Sequence, residues 1–512
     1  MHGSGANGAL VRWPRSLAGL LACLVYSILV QTTFAQQRQA TSYNLVLTGG
    51  RVMDPESGLD AARDVGITGG RIAAISRQRL TGKQVLDVSG LVVAPGFIDL
   101  HAHGQDLKSS QLQARDGVTT ALEMEVGTLS IPDWYAAREG KALINFGASV
   151  GHRQVRIRVK NGLAVPDALF SPEADQADKL TEWKYKNATA PEIDELIAWL
   201  DRGVTDGALG IGMIIQHTPG ARREEILRVF QLAAKRGVPI LAHVRSMSGT
   251  EPDSSLEAVQ EVIADAAATG ASLHIFHITS SGLRQTPVCL EMIAGARRRG
   301  IDVTTEAYPY TAASTSITAA TFDPGWQDRL GITFKDLQWT ATGERLTEQS
   351  FDEYRRKGGL VIMHMIPEEV SDLAVANPLV LIGSDGLPFL TGGEHPRGAG
   401  TFARVLGRYV REKKALTLMD ALRKMTLMPA RRLDGYVPQM KNKGRIKVGA
   451  DADLTIFDAN RVIDRSTFEK PMQPSEGIVH VLVGGVFVVR DSGLVGSVYP
   501  GRAIRRTPAV RN

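Results

Sequence analysis

Two histidines one residue apart, His101 and His103, follow the apolar run Val92-Val-Ala-Pro-Gly-Phe-Ile-Asp-Leu. In extended chain, residues i and i+2 point to the same side, so both imidazoles can face one metal ion. Two further histidines close apolar runs: His243 ends Val238-Pro-Ile-Leu-Ala-His, and His277 ends Leu273-His-Ile-Phe-His. They lie 34 residues apart, about one strand-plus-helix unit, which places them on neighbouring strands. His274 has an odd offset from His277, so alternation points it to the other side of the wall and gives it a structural role. Asp385 ends the largely apolar Leu379-Val-Leu-Ile-Gly-Ser, where an unpaired carboxylate would be costly; it must meet a metal, a hydrogen-bond donor or a helix or turn to cap. Glu123 and Glu125 sit on one face of the otherwise apolar Thr119-Thr-Ala-Leu-Glu-Met-Glu-Val. If that face points inward, one could bridge two metals and the other hold a ligand or helix partner; if outward, both are solvated. Imidazoles and carboxylates converging in this way suit metal-assisted hydrolysis.

Other chemistries find little support. The chain has only Cys23 and Cys289, and loss of an N-terminal export signal would leave Cys289 alone, so no Cys₂ or Cys₄ zinc site is expected and metal ligands must be His and carboxylate. No Gly-x-Ser-x-Gly elbow and no His-Glu-x-x-His is present. Gly207-Ala-Leu-Gly-Ile-Gly lacks the spacing and the lysine of a phosphate loop, and close backbone packing explains it better.

The elements that must position these groups alternate in type. Apolar strands are expected at 93–101, 119–125, 144–151, 207–214, 239–244, 272–278, 302–308 and 379–385. Amphipathic helices run between several of them (Glu224–Arg236, Leu256–Ala268 and Leu290–Arg299), each closed by a glycine at 237, 270 or 300. Eight such units predict an α/β fold, a (β/α)₈ TIM-type barrel rather than an open doubly wound sheet, and the strand C-termini would then form the active face. Strand–Gly-Gly–strand patterns at 43–53 and 65–75 return at 453–457 and 477–489, predicting a small β-sandwich domain assembled from both chain ends. The expected division is an export signal at 1–35, sandwich at 36–93, barrel at 94–440 and sandwich again at 441–512.

The signal reading rests on Arg12 and Arg15, the apolar run Leu17–Val30 and the small-residue site Thr33-Phe-Ala before Gln36. Alternatives are a retained anchor, or a lipoprotein-type box at Leu20-Leu-Ala-Cys23. Cleavage would take the formal charge from +5 to +3 and leave Cys289 as a lone thiol without a disulfide. No run of Lys and Arg forms a stripe, so neither a nucleic-acid partner nor, after cleavage, a membrane partner is expected. An exported, periplasmic or secreted protein is the expectation; oligomeric state is not legible.

Taken together, the motifs resemble the amidohydrolase superfamily and, within it, the N-acyl-D-amino-acid deacylase (D-aminoacylase) group. The resemblance covers nearly the whole mature chain. It is carried by Asn44-Leu-Val-Leu-Thr-Gly-Gly-Arg-Val-Met-Asp54, Ala94-Pro-Gly-Phe-Ile-Asp-Leu-His-Ala-His103, Gly117-Val-Thr-Thr120, Gly151-His-Arg-Gln-Val-Arg156, Tyr308-Pro-Tyr-Thr-Ala, Gly383-Ser-Asp385, His395-Pro-Arg397 and Gly444-Arg-Ile-Lys-Val-Gly-Ala-Asp. It implies one or two divalent ions, zinc first, held by His101, His103, His243 and His277, with Asp385 as acid/base. His152 would lie at the mouth of the third strand, a candidate donor to the developing oxyanion. Arg397 and Ser314 resemble residues that hold a substrate carboxylate, and His217 and Tyr308 would also contact substrate.

Three positions depart from the group. Its cysteine ligand is replaced by Val126, so Glu125, or in the alternative Glu123, must stand in for the thiolate, as in a subgroup often labelled D-glutamate deacylase. A lysine after the sixth-strand histidine is Thr279, and a tyrosine before Pro-Gly is His217. The implied reaction is deacylation of an N-acyl-D-amino acid or related small amide. Alternatives are a dipeptidase, a cyclic amidase such as a dihydroorotase-like enzyme, or a non-catalytic binding protein on a decayed barrel.

Overall fold

The computed structural model describes residues 42–165 and 177–507, together with residues 1, 3, 5 and 8. The apolar run and cleavage site of the expected export signal, with Cys23, lie outside the described residues.

Eight parallel strands form the central sheet: β6 (Phe97–Asp99), β7 (Val118–Thr128), β8 (Asn145–Gly151), β9 (Ile211–Ile214), β10 (Ile240–His243), β11 (Leu273–Ile275), β12 (Val303–Ala307) and β16 (Val380–Ile382). They pair in sequence order around the ring from β6 to β16. The ring is drawn together at its ends by a parallel bridge between Ala102 and Gly386 and by His103 N–H donating to the Gly386 carbonyl at 2.8 Å. This nearly closed barrel is the α/β architecture expected from eight apolar strands separated by helices. Helices Arg223–Arg236 and Ser255–Thr269 end on Gly237 and Gly270, whose φ values of +60° and +76° are the left-handed caps that favour glycine. Ser254 and Glu257 close a capping box at the start of the second helix.

Ile98, Leu100, Leu122, Met124, Leu241, Phe276 and Leu381 meet in one buried cluster, although they come from strands all around the ring. Only the barrel interior permits that, so these positions point inward. His274 shares the alternation of Phe276, with their rings 4.9 Å apart, and therefore also points inward, which corrects the expected outward direction. Strand β11 ends at Ile275, and His277 adopts φ +30°. Alternation cannot be counted through that turn, and the turn swings His277 back over the barrel mouth.

The expected first barrel strand is in fact two. β5 (Val92–Pro95) pairs with β1 (Tyr43–Asp54) and β17 (Leu454–Phe457), and Gly96 separates it from β6. A Cβ on Gly96 would meet the Thr119 side chain at 2.2 Å, so only glycine allows the crossing from one sheet to the other. With β2 (Leu59–Thr68), β3 (Arg71–Ser76), β4 (Gly82–Asp87), β18 (Ile478–Val483), β19 (Val486–Arg490) and β20 (Gly493–Leu494), these strands make one nine-stranded, mainly antiparallel sheet. Its core mixes the two chain ends, with Leu47, Val65 and Ile72 against Leu454, Ile456 and Leu482. Beyond β20 the chain leaves this sheet. Ile504 N–H donates to the Phe146 carbonyl at 2.7 Å, and the Ile504 side chain joins the barrel's inner cluster.

A third sheet, unforeseen in the sequence, lies after β12: β13 (Ala313–Ser316) and β14 (Leu337–Trp339) flank β15 (Leu360–Met363) antiparallel. It packs on its own aromatic cluster of Phe322, Trp326, Trp339 and Phe351 and overhangs the barrel mouth.

Candidate metal centre

The strand C-termini bring the predicted histidines and carboxylates to one buried point. His101 Nε2, His103 Nε2, Glu125 Oε2 and Asp385 Oδ1 form one group, all four residues buried. The two histidine nitrogens stand 3.1 Å apart. Glu125 Oε2 lies 3.3 and 3.4 Å from them, and Asp385 Oδ1 likewise 3.3 and 3.4 Å. Ligands bonded at about 2.0–2.2 Å to a tetrahedral ion are separated by about 3.3–3.6 Å, so this donor set fits such an ion with little adjustment. Glu125 turns its other oxygen to a second group: Oε1 is 3.1 Å from His243 Nδ1 and 2.8 Å from His277 Nε2. One carboxylate thus touches both groups, so Glu125 would be a donor whether one ion or two were bound.

The four histidines are held from behind through their other ring nitrogens. His101 Nδ1 contacts Glu306 at 2.6 Å, His103 Nδ1 contacts Glu123 at 2.9 Å, His243 Nε2 contacts Gln216 at 2.8 Å and His277 Nδ1 contacts Ser281 at 3.1 Å. Such partners fix ring orientation and tautomer and raise ligand basicity. The two glutamates of β7 therefore divide their roles: Glu125 faces the ligand groups and Glu123 orients His103. Val126 lines the cavity beside them.

Charge is concentrated here. Burial alone would raise the Glu125 carboxyl, but His101, His103 and His243 draw it well below the usual carboxylate range. Burial likewise opposes protonation of His101, yet Asp385, Glu125 and Glu306 push it up to about 10. Glu306, despite its burial, is lowered to about 2, mainly by His101. A cluster so dependent on mutual compensation is one that a divalent cation would satisfy, displacing the protons.

Glu306 was not singled out in the sequence, although an acid in Val303-Thr-Thr-Glu-Ala carries the same signal as Glu123. Its carboxylate also reaches His274 Nε2 at 3.4 Å, so His274 braces the support of His101. Glu306→Gln should weaken metal binding by about ten- to a hundredfold, read by competition with a chromogenic zinc chelator. Unchanged affinity would show that Glu306 serves folding alone.

Asp385 adopts φ +51°, and its Oδ2 lies 2.9 Å from Arg397 Nη1. Against the effect of burial, Arg397 and His101 hold its carboxyl below the ordinary range. Arg397 is buried beneath it, with its guanidinium carbon 4.7 Å from the Tyr308 ring centre. Arg397 and Tyr308, expected to contact substrate, lie behind Asp385 rather than among the residues that line the cavity.

His152, the expected oxyanion donor, is likewise not among the residues that line the cavity. It begins the helix His152–Asn161, and its Nε2 meets Glu225 at 2.8 Å in the barrel wall. Successive helical residues diverge by about 100°. Arg153, not His152, therefore faces the cavity, which His217 and Ser314 also line. Thr279 is fully buried and lies off that wall. The cavity thus runs from the carboxylate–histidine cluster to a wall supplied by β13 and by the helix Glu182–Tyr185.

Known proteins share this arrangement of elements. A family model described as Amidohydrolase family matches residues 84–489. An N-acyl-D-glutamate deacylase from Alcaligenes xylosoxydans xylosoxydans is 31% identical over 91% of this chain and 97% of its own. The crystal structure of N-acyl-D-glutamate deacylase from Bordetella bronchiseptica, complexed with zinc and a phosphonate mimic of the tetrahedral intermediate, aligns with a TM-score of 0.73 at 27% identity, covering 91% of this chain and all of that one. A D-aminoacylase structure concerned with the functional role of its binuclear metal center aligns with a TM-score of 0.76 at 26% identity and the same coverage.

Proposed function

The chain belongs to the amidohydrolase family, and from that premise we propose that it removes the acyl group from N-acyl-D-amino acids in a metal-dependent hydrolysis of the amide C–N bond. The observation that carries the reading is the single carboxylate of Glu125 joining two histidine groups beside Asp385 at the head of a cavity. Relatives named for deacylation of N-acyl-D-glutamate and for D-aminoacylase activity supply the substrate class.

Zinc suits the nitrogen and oxygen donors of His101, His103, Glu125, Asp385, His243 and His277. When bound, such an ion acidifies water towards neutrality and polarises a carbonyl. The chain's own residues do the rest. Arg397 keeps Asp385 ionised, so that at neutral pH the carboxylate is ready to accept the proton of the attacking water. Asp385 then returns that proton to the amide nitrogen as the C–N bond breaks, because an unprotonated amide nitrogen is a poor leaving group. Glu306 and Glu123 hold His101 and His103 through these steps without entering them.

The test is incubation of metal-loaded protein with paired N-acetyl-D- and N-acetyl-L-amino acids, assaying free amine. Release from the D series, with much slower release from the L series, is expected. Hydrolysis of the L series alone, or of neither, would overturn the proposal.

A further inference from the structure

The far wall of the cavity carries cationic side chains. Arg153 and Lys184 are the only arginine and lysine among the described residues lining the cavity, and both are buried, at 3% and 5% exposure. The Arg153 guanidinium carbon stands 4.8 Å from the Trp183 ring centre, and one of its nitrogens meets Asp178. Its Nη1 is buried with no hydrogen-bond partner. Lys184 Nζ donates to the Thr318 carbonyl at 3.1 Å, leaving further N–H groups unassigned. A buried guanidinium nitrogen without an acceptor is costly unless a ligand supplies one. Among the described residues, Arg153 and Lys184 face Asp178, while the nearby Asp323 is paired with Arg355, which leaves this corner with net positive charge.

The surroundings add no further positive charge. Burial lowers the Lys184 ammonium from its usual value. It also lowers His217 well below the ordinary histidine value, with His243, Arg153 and Lys184 adding to the effect, so His217 is a neutral neighbour rather than a third cation. Ser314 and Ser316 supply hydroxyls on the adjoining wall. A substrate bearing both an amide and a carboxylate can set its amide at the carboxylate–histidine cluster while the unpartnered Arg153 Nη1 and Lys184 receive the carboxylate.

Resting on the deacylase reading, we propose that Arg153 and Lys184 form the carboxylate-anchoring subsite of this enzyme and set its preference for acidic substrates. The anchored group is the amino-acid carboxylate or a second carboxylate on the substrate's side chain. Arginine suits either, because its planar fork matches a carboxylate in two parallel hydrogen bonds.

The test uses full-length metal-loaded protein with Arg153→Met, Lys184→Met, Arg153→Lys and Asp178→Asn, each checked for melting temperature and metal content. N-acetyl-D-glutamate and N-acetyl-D-leucine are the substrates, and calorimetric titration with glutarate gives a readout independent of turnover. Losing one charge-assisted contact should raise KM about ten- to a hundredfold while kcat changes little. Arg153→Lys should recover part of that loss. Asp178→Asn, which leaves the guanidinium in place and removes its competitor, should tighten glutarate binding. A KM penalty on both substrates identifies the amino-acid carboxylate as the anchored group, and a penalty on N-acetyl-D-glutamate alone identifies the side-chain carboxylate. If no amide is hydrolysed but glutarate binds and the Met variants abolish that binding, the subsite stands and the deacylase reading falls. Unchanged KM in both Met variants, or glutarate binding that is absent or indifferent to all four substitutions, would overturn the subsite.

Discussion

Asp385→Asn is expected to lower kcat by about a thousandfold, within the range of about 10²–10⁴ that a positioned acid–base group contributes, while the protein keeps bound metal. The asparagine side chain preserves shape and one oxygen, so the ligand group with His101, His103 and Glu125 loses little of its geometry. It has no charge with which to take a proton, and its amide cannot pass one to a leaving nitrogen. Arg397, 2.9 Å away, would then be buried opposite a neutral group, which adds a stability cost visible as a lower melting temperature. Metal analysis and steady-state kinetics on the same preparation separate the roles. Loss of metal in proportion to activity would make Asp385 mainly a ligand.

The second large effect is expected at Glu125. Its two oxygens serve two different groups, so Glu125→Gln weakens both at once. Bound metal should fall below about a tenth of the wild-type content after dialysis, with activity falling in parallel, since a neutral amide no longer balances the charge of the ions. Glu123→Gln, at a side chain that meets His103 Nδ1 and otherwise accepts from the Val126 and Gly127 amides, should cost about ten- to a hundredfold in affinity and leave a metal-binding protein. Reversal of that order would make Glu123 the ligand. The contrast is informative because the two residues share a strand and a chemical type and differ only in what they face.

The reach of alternation differs along the chain. It holds where the backbone is regular: His101 and His103 meet as their spacing predicts, and the eight apolar runs pair in order around the barrel. It fails where the strand ends. At His277 the left-handed backbone resets the count, and at Gly96 the chain passes from one sheet to the other within a single apolar run. Arg153 shows a further limit. Nothing in Gly151-His-Arg-Gln distinguishes the histidine from the arginine as the group facing the cavity, and the first turn of a helix decides it. The overhanging sheet of β13–β15 was also illegible, because its strands are three or four residues long and stabilise one another only in place.

The sequence by itself determined which side chains stand at the strand ends and therefore that the barrel mouth carries His101, His103, His243, His277 and Asp385. Those features are local, written in short apolar runs and in the glycines that stop helices. Only the tertiary structure decided that Glu125 touches both histidine groups while Glu123 supports His103, that Glu306 and His274 brace His101, and that Arg397 backs Asp385. These depend on contacts between distant residues, such as Glu125 with His277, 152 positions apart. Such contacts form because burying these charges without their partners is costly, and that cost acts between groups in space irrespective of their order along the chain.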